Sequence, residues 1–170
     1  MYVRSSVKAL LLMWVLIPAA LTCAAARCGL MHSDSQDKPT IAEDDIREAV
    51  FRYQFSHNAS AQQQQAGVYF LSVGRDEDPS GEFMDRFKGH RPPVERVSQA
   101  STQAGGVADK KTGRRGIIFR VTDIKWISEN EAEVEGGYLE GSQSASSNVY
   151  RVRFERDGWV VIEDRLKRIA

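Results

Sequence analysis

Glu131-Ala132-Glu133-Val134-Glu135-Gly136-Gly137-Tyr138-Leu139 and Asn148-Val149-Tyr150-Arg151-Val152-Arg153-Phe154 decide how this chain folds. In both, apolar and charged side chains alternate, the period of an extended strand with one face in a core and one in water. Ala132, Val134 and Tyr138 face in and the glutamates face out; Tyr150, Val152 and Phe154 face in and the arginines face out. Antiparallel pairing sets Glu133 and Glu135 across from Arg151 and Arg153. Such pairs contribute only about 0.2–1 kcal/mol each, but together they specify the register. Gly136-Gly137 in mid-strand predicts a strong bend. Residues 141–147 are a polar connection.

The pattern extends in both directions. Residues 116–127 form the preceding strand, with Ile117, Phe119 and Val121 on one face. The apolar phase then moves to Ile124 and Trp126, and the odd step predicts a bulge near Thr122-Asp123. Ser128-Glu129-Asn130 turns the chain. After Phe154, Arg156-Asp157-Gly158 turns it again into a last strand at 159–166. A two-residue Asp157-Gly158 turn would set Glu163 inside, opposite Val152. A three-residue turn sets Val160 opposite Phe154 and Ile162 opposite Val152, which keeps the inner face apolar and is preferred. It places Asp164 on the inner face near Tyr150 and turns Trp159 and Val161 outward, beside Arg153 and Glu155.

Upstream, Thr40-Ile41-Ala42-Glu43 is a capping box, and Asp44 and Asp45 suit the positive end of a helix dipole. A helix is expected over 41–57, with Ile46, Ala49, Val50 and Tyr53 as its apolar stripe and Phe51 and Phe55 widening it. Residues 58–65 are low-complexity, a solvated loop or a frayed continuation; Asn58-Ala59-Ser60 matches a glycosylation acceptor. A strand follows at 67–73. Asp78-Pro79-Ser80 then starts a short helix at 81–88 that presents Phe83, Met84 and Phe87 and stops at Gly89. A strand over 94–100 and an exposed hairpin loop over 102–115 complete the pass. Lys110, Lys111, Arg114 and Arg115 in that loop have no aromatic residue among them to hold a base, so they read as a solvated turn rather than a nucleic-acid site.

These elements give an α+β class: an N-terminal helix packed on a strongly curved antiparallel β-sheet, a cone or roll, in a single domain over 40–170. The order of elements, the bulge and glycine bend in long strands, and the ending Asp157-Gly158-Trp159-Val160-Val161-Ile162 resemble the nuclear transport factor 2-like superfamily and its cystatin-like relatives over about Thr40 to Ile169. That resemblance implies a helix lying in a cone of sheet. It assigns no activity, since the superfamily holds enzymes, small-molecule binders and interaction modules. Gln103-Ala104-Gly105-Gly106-Val107 departs from the Gln-x-Val-x-Gly hairpin of inhibitory cystatins, which argues against protease inhibition.

The first 26 residues differ from the rest. Arg4 and Lys8 precede the apolar run from Ala9 to Leu21, and small residues follow to Ala26. These are the parts of a secretory signal peptide, so 1–26 is expected to be cleaved and the protein exported, to a periplasm or the medium. Two alternatives stay open: an uncleaved membrane anchor over 9–26, and lipidation at Cys23 after Ala20-Leu21-Thr22. Cleavage would leave Cys28 alone, with no intramolecular disulfide, and a small net negative charge. Residues 27–39, including His32, read as a flexible tether.

The chain has 170 residues, 42% hydrophobic and 27% charged, and its 23 basic and 23 acidic residues cancel. That balance is an ordinary globule's and excludes a polytopic membrane protein and a basic nucleic-acid clamp. No phosphate loop, dinucleotide glycine pattern or metal-spaced histidine set occurs, so no cofactor and no metal are expected. Gly141-Ser142-Gln143-Ser144-Ala145 lacks the second glycine of a nucleophile elbow. His57 and His90 read as structural.

One constellation carries chemistry. Tyr53, Tyr138, Tyr150 and Asp164 could converge between helix and sheet. The resemblance implies that an acid and a tyrosine there can act as base and proton donor, and a desolvated Asp164 would serve as that base. The plain alternative is tyrosines in a closed core with Asp164 bonded at the rim. A second candidate is a docking surface at Trp159 and Val161, for another copy of the chain or another exported protein. The expected function is an exported, non-enzymatic binding or interaction module. The alternative is a small-molecule enzyme of isomerase or dehydratase type.

Overall fold

The computed structural model describes residues 37–57, 61–102, 105–141 and 144–169. The expected signal peptide with Cys23, the tether through residue 36 and Asn58-Ala59-Ser60 lie outside them. No helix among the described residues is long and apolar enough to cross a membrane.

Helix α1 spans Asp37–His57. It begins before Thr40, so the threonine falls in the first turn rather than at the cap, and residues 37–39 belong to helix rather than tether. Pro39 is tolerated there because first-turn N–H groups have no intrahelical partner. Glu43 instead pairs with Arg47 at 2.8 Å, and Asp44 with the same guanidinium at 2.9 Å. Ile46, Val50, Phe51 and Gln54 are the buried face.

After α2 (Ala61–Gln65) comes β1 (Val68–Val73), then α3 (Gly81–Asp85). The Ser80 hydroxyl caps α3 by accepting from the Phe83 N–H at 3.0 Å. Phe83 and Phe87 pack on Phe51, with ring centroids 6.1 and 6.3 Å away. The remaining strands are β2 (Val94–Arg96), β3 (Ala100–Ser101), β4 (Val107–Asp109), β5 (Arg115–Ser128), β6 (Glu131–Gly141), β7 (Ser144–Glu155) and β8 (Gly158–Ile169). A 3-10 turn at Val97–Gln99 breaks the strand expected over 94–100, and the expected loop over 102–115 holds β4.

The eight strands form one open sheet in the order β2-β1-β5-β6-β7-β8, with β4 also paired to β5 and β3 to β4. The sheet is mixed, which corrects the antiparallel expectation: β1 runs parallel to both β2 and β5. The reason lies in the connections. Connections of only a few residues between successive strands from β5 to β8 enforce antiparallel neighbours, whereas the long excursion through α3 lets the chain return alongside β1 in the same direction.

The bulge in β5 is where the sequence puts it. Val121 faces Gly136 and Asp123 faces Glu135, leaving Thr122 extra. Between β6 and β7, Glu133 faces Arg151, but Arg153 faces Glu131, and Glu135 faces Val149. Glu131 pairs with Arg151 and, at 3.7 Å, with Arg153. Glu133 and Glu135 reach Arg165 and Lys167 of β8 at 3.5 and 2.7 Å.

The last hairpin needs correcting. Glu155 faces Gly158, so the turn is Arg156-Asp157. Trp159 then faces Phe154 and Val161 faces Val152, which places Trp159 and Val161 on the helix-facing side, packed against the main core. They do not point outward as expected; Val160 and Ile162 are exposed instead. A register shift at Ile162 restores the phase, setting Glu163 opposite Arg151 and Asp164 opposite Tyr150. A short turn plus an in-strand bulge buries Trp159 without burying Glu163, a solution that turn length alone does not offer.

Candidate functional site

One end of the helix-facing side of the sheet is polar. The last turns of α1 bring Tyr53, Gln54 and His57 to it. On β7, Ser146, Asn148 and Tyr150 alternate onto that face. Their cross-strand partners are Tyr138 on β6, opposite Ser146, and Asp164, Leu166 and Ile169 on β8, opposite Tyr150, Asn148 and Ser146. Together they line a cavity of about 190 Å³. The four residues singled out from sequence, Tyr53, Tyr138, Tyr150 and Asp164, therefore meet at one place.

Gln54 organises the wall. Its Nε2 donates to the Arg120 carbonyl at 3.1 Å, the Gly137 carbonyl at 3.3 Å and the Tyr150 hydroxyl at 3.2 Å. Two carbonyl acceptors fix the amide's orientation, since a flip would set oxygen against oxygen. Among the described residues the buried Oε1 has no hydrogen-bond partner. Glycine makes this approach possible: a Cβ at Gly136 would stand 2.4 Å from the Arg120 carbonyl oxygen and 3.2 Å from Gln54 Nε2. A Cβ at Gly137 would stand 2.0 Å from the Ser146 carbonyl oxygen. The glycine pair in β6 is thus what lets helix and sheet close on each other here.

Across the cavity, Asn148 Nδ2 donates to Asp164 Oδ1 at 2.6 Å, and the buried Asn148 Oδ1 has no partner among the described residues. The Tyr53 and Tyr150 rings meet nearly edge to face, 5.8 Å apart. The His57 ring stacks on Tyr53 at 3.9 Å. His57 Nδ1 lies 3.0 Å from the Tyr53 carbonyl oxygen and 2.9 Å from the Ser56 hydroxyl.

All three phenols are pushed above the ordinary range for tyrosine. For Tyr53 burial is the main cause, followed by the charge of Asp164 and a hydrogen bond with it. Burial also leads at Tyr138, with Glu140 adding to it. Tyr150 is displaced farthest, again by burial, against which the Gln54 hydrogen bond pulls down. At neutral pH the three are uncharged rings whose hydroxyls can donate. Asp164 itself is exposed, which corrects the expectation of a desolvated base.

The other expected features lie elsewhere. His90 is half-buried beside Phe55 and Tyr69, with Nδ1 2.8 Å from the Pro92 carbonyl oxygen. Lys110 donates to the Ser98 carbonyl and Arg114 to that of Gly67, so these basic side chains tie the loop to the 3-10 turn and to the residue before β1. Trp159 stands between Trp126 and Phe154, at 5.5 and 5.6 Å. Among the described residues no His, Cys, Asp and Glu side chains group to hold a metal ion.

Gln54 and Asn148 were not evident from sequence. Gln54 had a signal: it continues the four-residue spacing of Ile46 and Val50, a polar residue in the phase of the buried stripe. Asn148 had a weaker one, in alternation with Tyr150 and Val152. No protein-family model, curated protein or solved structure matches the chain.

Proposed function

We propose that the protein is an exported, non-enzymatic binding module that takes a small organic molecule into the cavity between α1 and strands β6–β8. One observation carries this reading: Tyr53, Tyr138, Tyr150 and Asp164, widely separated in sequence, line a single recess together with Gln54 and Asn148. Apolar rings with a few convergent polar groups are the composition of a ligand pocket. Export is supported by the Arg4–Lys8 head, the apolar run and the small residues up to Ala26. The cone of the nuclear transport factor 2-like resemblance would place a pocket at this same seam.

The chemistry favours binding over turnover. The phenols keep their protons, and Asp164 is exposed and held by Asn148. The enzyme alternative, of isomerase or dehydratase type, draws on the meeting of Tyr53 and Asp164 in this recess, with Asp164 as base and Tyr53 as donor.

A fragment screen on the full chain, read by nuclear magnetic resonance of ring-labelled tyrosines, tests the reading. Fragments are expected to shift Tyr53, Tyr138 and Tyr150 together and to be recovered unchanged. A library that moves none of those rings contradicts a pocket, and conversion of a fragment that Asp164→Asn abolishes moves the assignment to the enzyme.

A further inference from the structure

We infer that the ligand of this pocket is a small organic cation of the alkylammonium class, seated against tyrosine rings with Asp164 as its counter-charge. The inference rests on the pocket reading above and narrows it to one chemical class.

Charge comes first. Among the described lining residues Asp164 is the one carboxylate, and His57 is the one basic side chain, with no lysine or arginine beside it. The nearby cations of β8 are directed away: Arg165 and Lys167 pair with Glu133 and Glu135 on the outer face. An anionic ligand would meet the Asp164 carboxylate with no lysine or arginine to offset it, only the His57 imidazole stacked on Tyr53.

The walls point the same way. Tyr53 and Tyr138 are half-buried, each with surface left to contact a ligand, and Tyr150 closes the floor. Aromatic faces carry negative potential and attract a cation within about 6 Å of the ring centre. At neutral pH these phenols are uncharged, as tyrosines ordinarily are. Two amide oxygens of the wall also lack a hydrogen-bond partner among the described residues. Gln54 is 4% exposed, and its Oε1 has no partner; the Asn148 Oδ1 is in the same state. Unpaired buried acceptors make the local potential more negative still.

Size and rim set the rest. About 190 Å³ lies below the roughly 300 Å³ at which drug-sized pockets begin, so the ligand has few heavy atoms. Leu166 and Ile169, 55% and 69% exposed, give the mouth an apolar lip that suits alkyl groups on nitrogen.

The test titrates the full chain with tetramethylammonium chloride at constant ionic strength, and separately with tert-butanol, a neutral molecule of similar branched shape. Tyrosine ring resonances report binding. Tetramethylammonium is expected to bind at least about tenfold more tightly than tert-butanol, and Asp164→Asn to remove about tenfold of its affinity. Tyr138→Leu is expected to cost several-fold, while Tyr138→Phe, which keeps the ring, stays within about twofold. Circular dichroism of each variant confirms that it folds. Equal response to both molecules, or an Asp164→Asn affinity like that of the wild type, overturns the cation assignment and leaves the pocket standing. Rings that move with screened fragments but not with the cation overturn it too. Rings that move with nothing contradict both readings.

Discussion

Strand β1 and the first half of β5 contrast with β8. Val68, Tyr69, Phe70 and Leu71 are all buried, as are Ile117, Ile118, Phe119 and Val121 beside them. Both faces are covered there: α1 and α3 lie on one, and Val107 with its β4 neighbours on the other. In β8, Trp159 and Val161 are half-buried, and the strand from Ile162 to Ile169 is exposed throughout. It pairs with β7 alone among the described strands. The dry half is a near-continuous apolar run, as parallel strands require. The wet half alternates, and the recess opens where α1 crosses from one to the other. Stability and recognition are thus divided between regions, and substitutions should separate them.

The largest effect belongs to the dry half. Phe119→Ala leaves a cavity among Phe55, Tyr69 and the sheet, and urea unfolding should show a loss of about 3–5 kcal/mol. A loss under 1 kcal/mol would break the contrast. Next comes the seam. Gly136→Ala forces a Cβ against the Arg120 carbonyl and should cost about 1–3 kcal/mol by the same assay. Gln54→Leu strips the donor from two carbonyls and the Tyr150 hydroxyl and should cost a similar amount, about 1–3 kcal/mol.

The pocket also predicts an alkaline weakness. Folding raises the Tyr150 phenol above its ordinary value of 10.0, with Tyr53 and Tyr138 raised as well. Below pH 10 both folded and unfolded chains hold these protons, and stability does not depend on them. Above it the unfolded chain releases them first, so stability falls as pH rises. Unfolding followed at rising pH should show this decline, shallower in Tyr150→Phe. A flat profile past pH 10 would place the rings in water. The smallest effect is on the outer face: Lys167→Ala removes an exposed ion pair with Glu135 and should change stability by no more than about 0.5 kcal/mol.

Much of this was legible in the sequence. The β5 bulge followed from the step between Val121 and Ile124, and the α1 core from the spacing of Ile46 and Val50. Tyr53 was placed on the inner side by helical spacing and Tyr138 and Tyr150 by alternation, whereas Asp164 was placed there through a three-residue turn that the structure replaces with a shorter turn and a bulge. Parallel pairing of β1 was not legible, because alternation within a strand carries no information about its neighbour's direction. The facing of Trp159 was missed because two local devices, a short turn and a bulge at Ile162, cancel in their effect on Asp164 but not on Trp159. Gln54 was missed because its bonds reach carbonyls more than sixty residues away, which no local pattern encodes.

The division between a dry half and a receptive half is tested most directly by nuclear Overhauser contacts from the methyl groups of bound tetramethylammonium. Tyr69, buried in β1, is the internal control. Contacts to the Tyr53 and Tyr138 rings with none to Tyr69 are predicted. Contacts to Tyr69, or to Trp126 and Trp159 in place of the tyrosines of the recess, would contradict it.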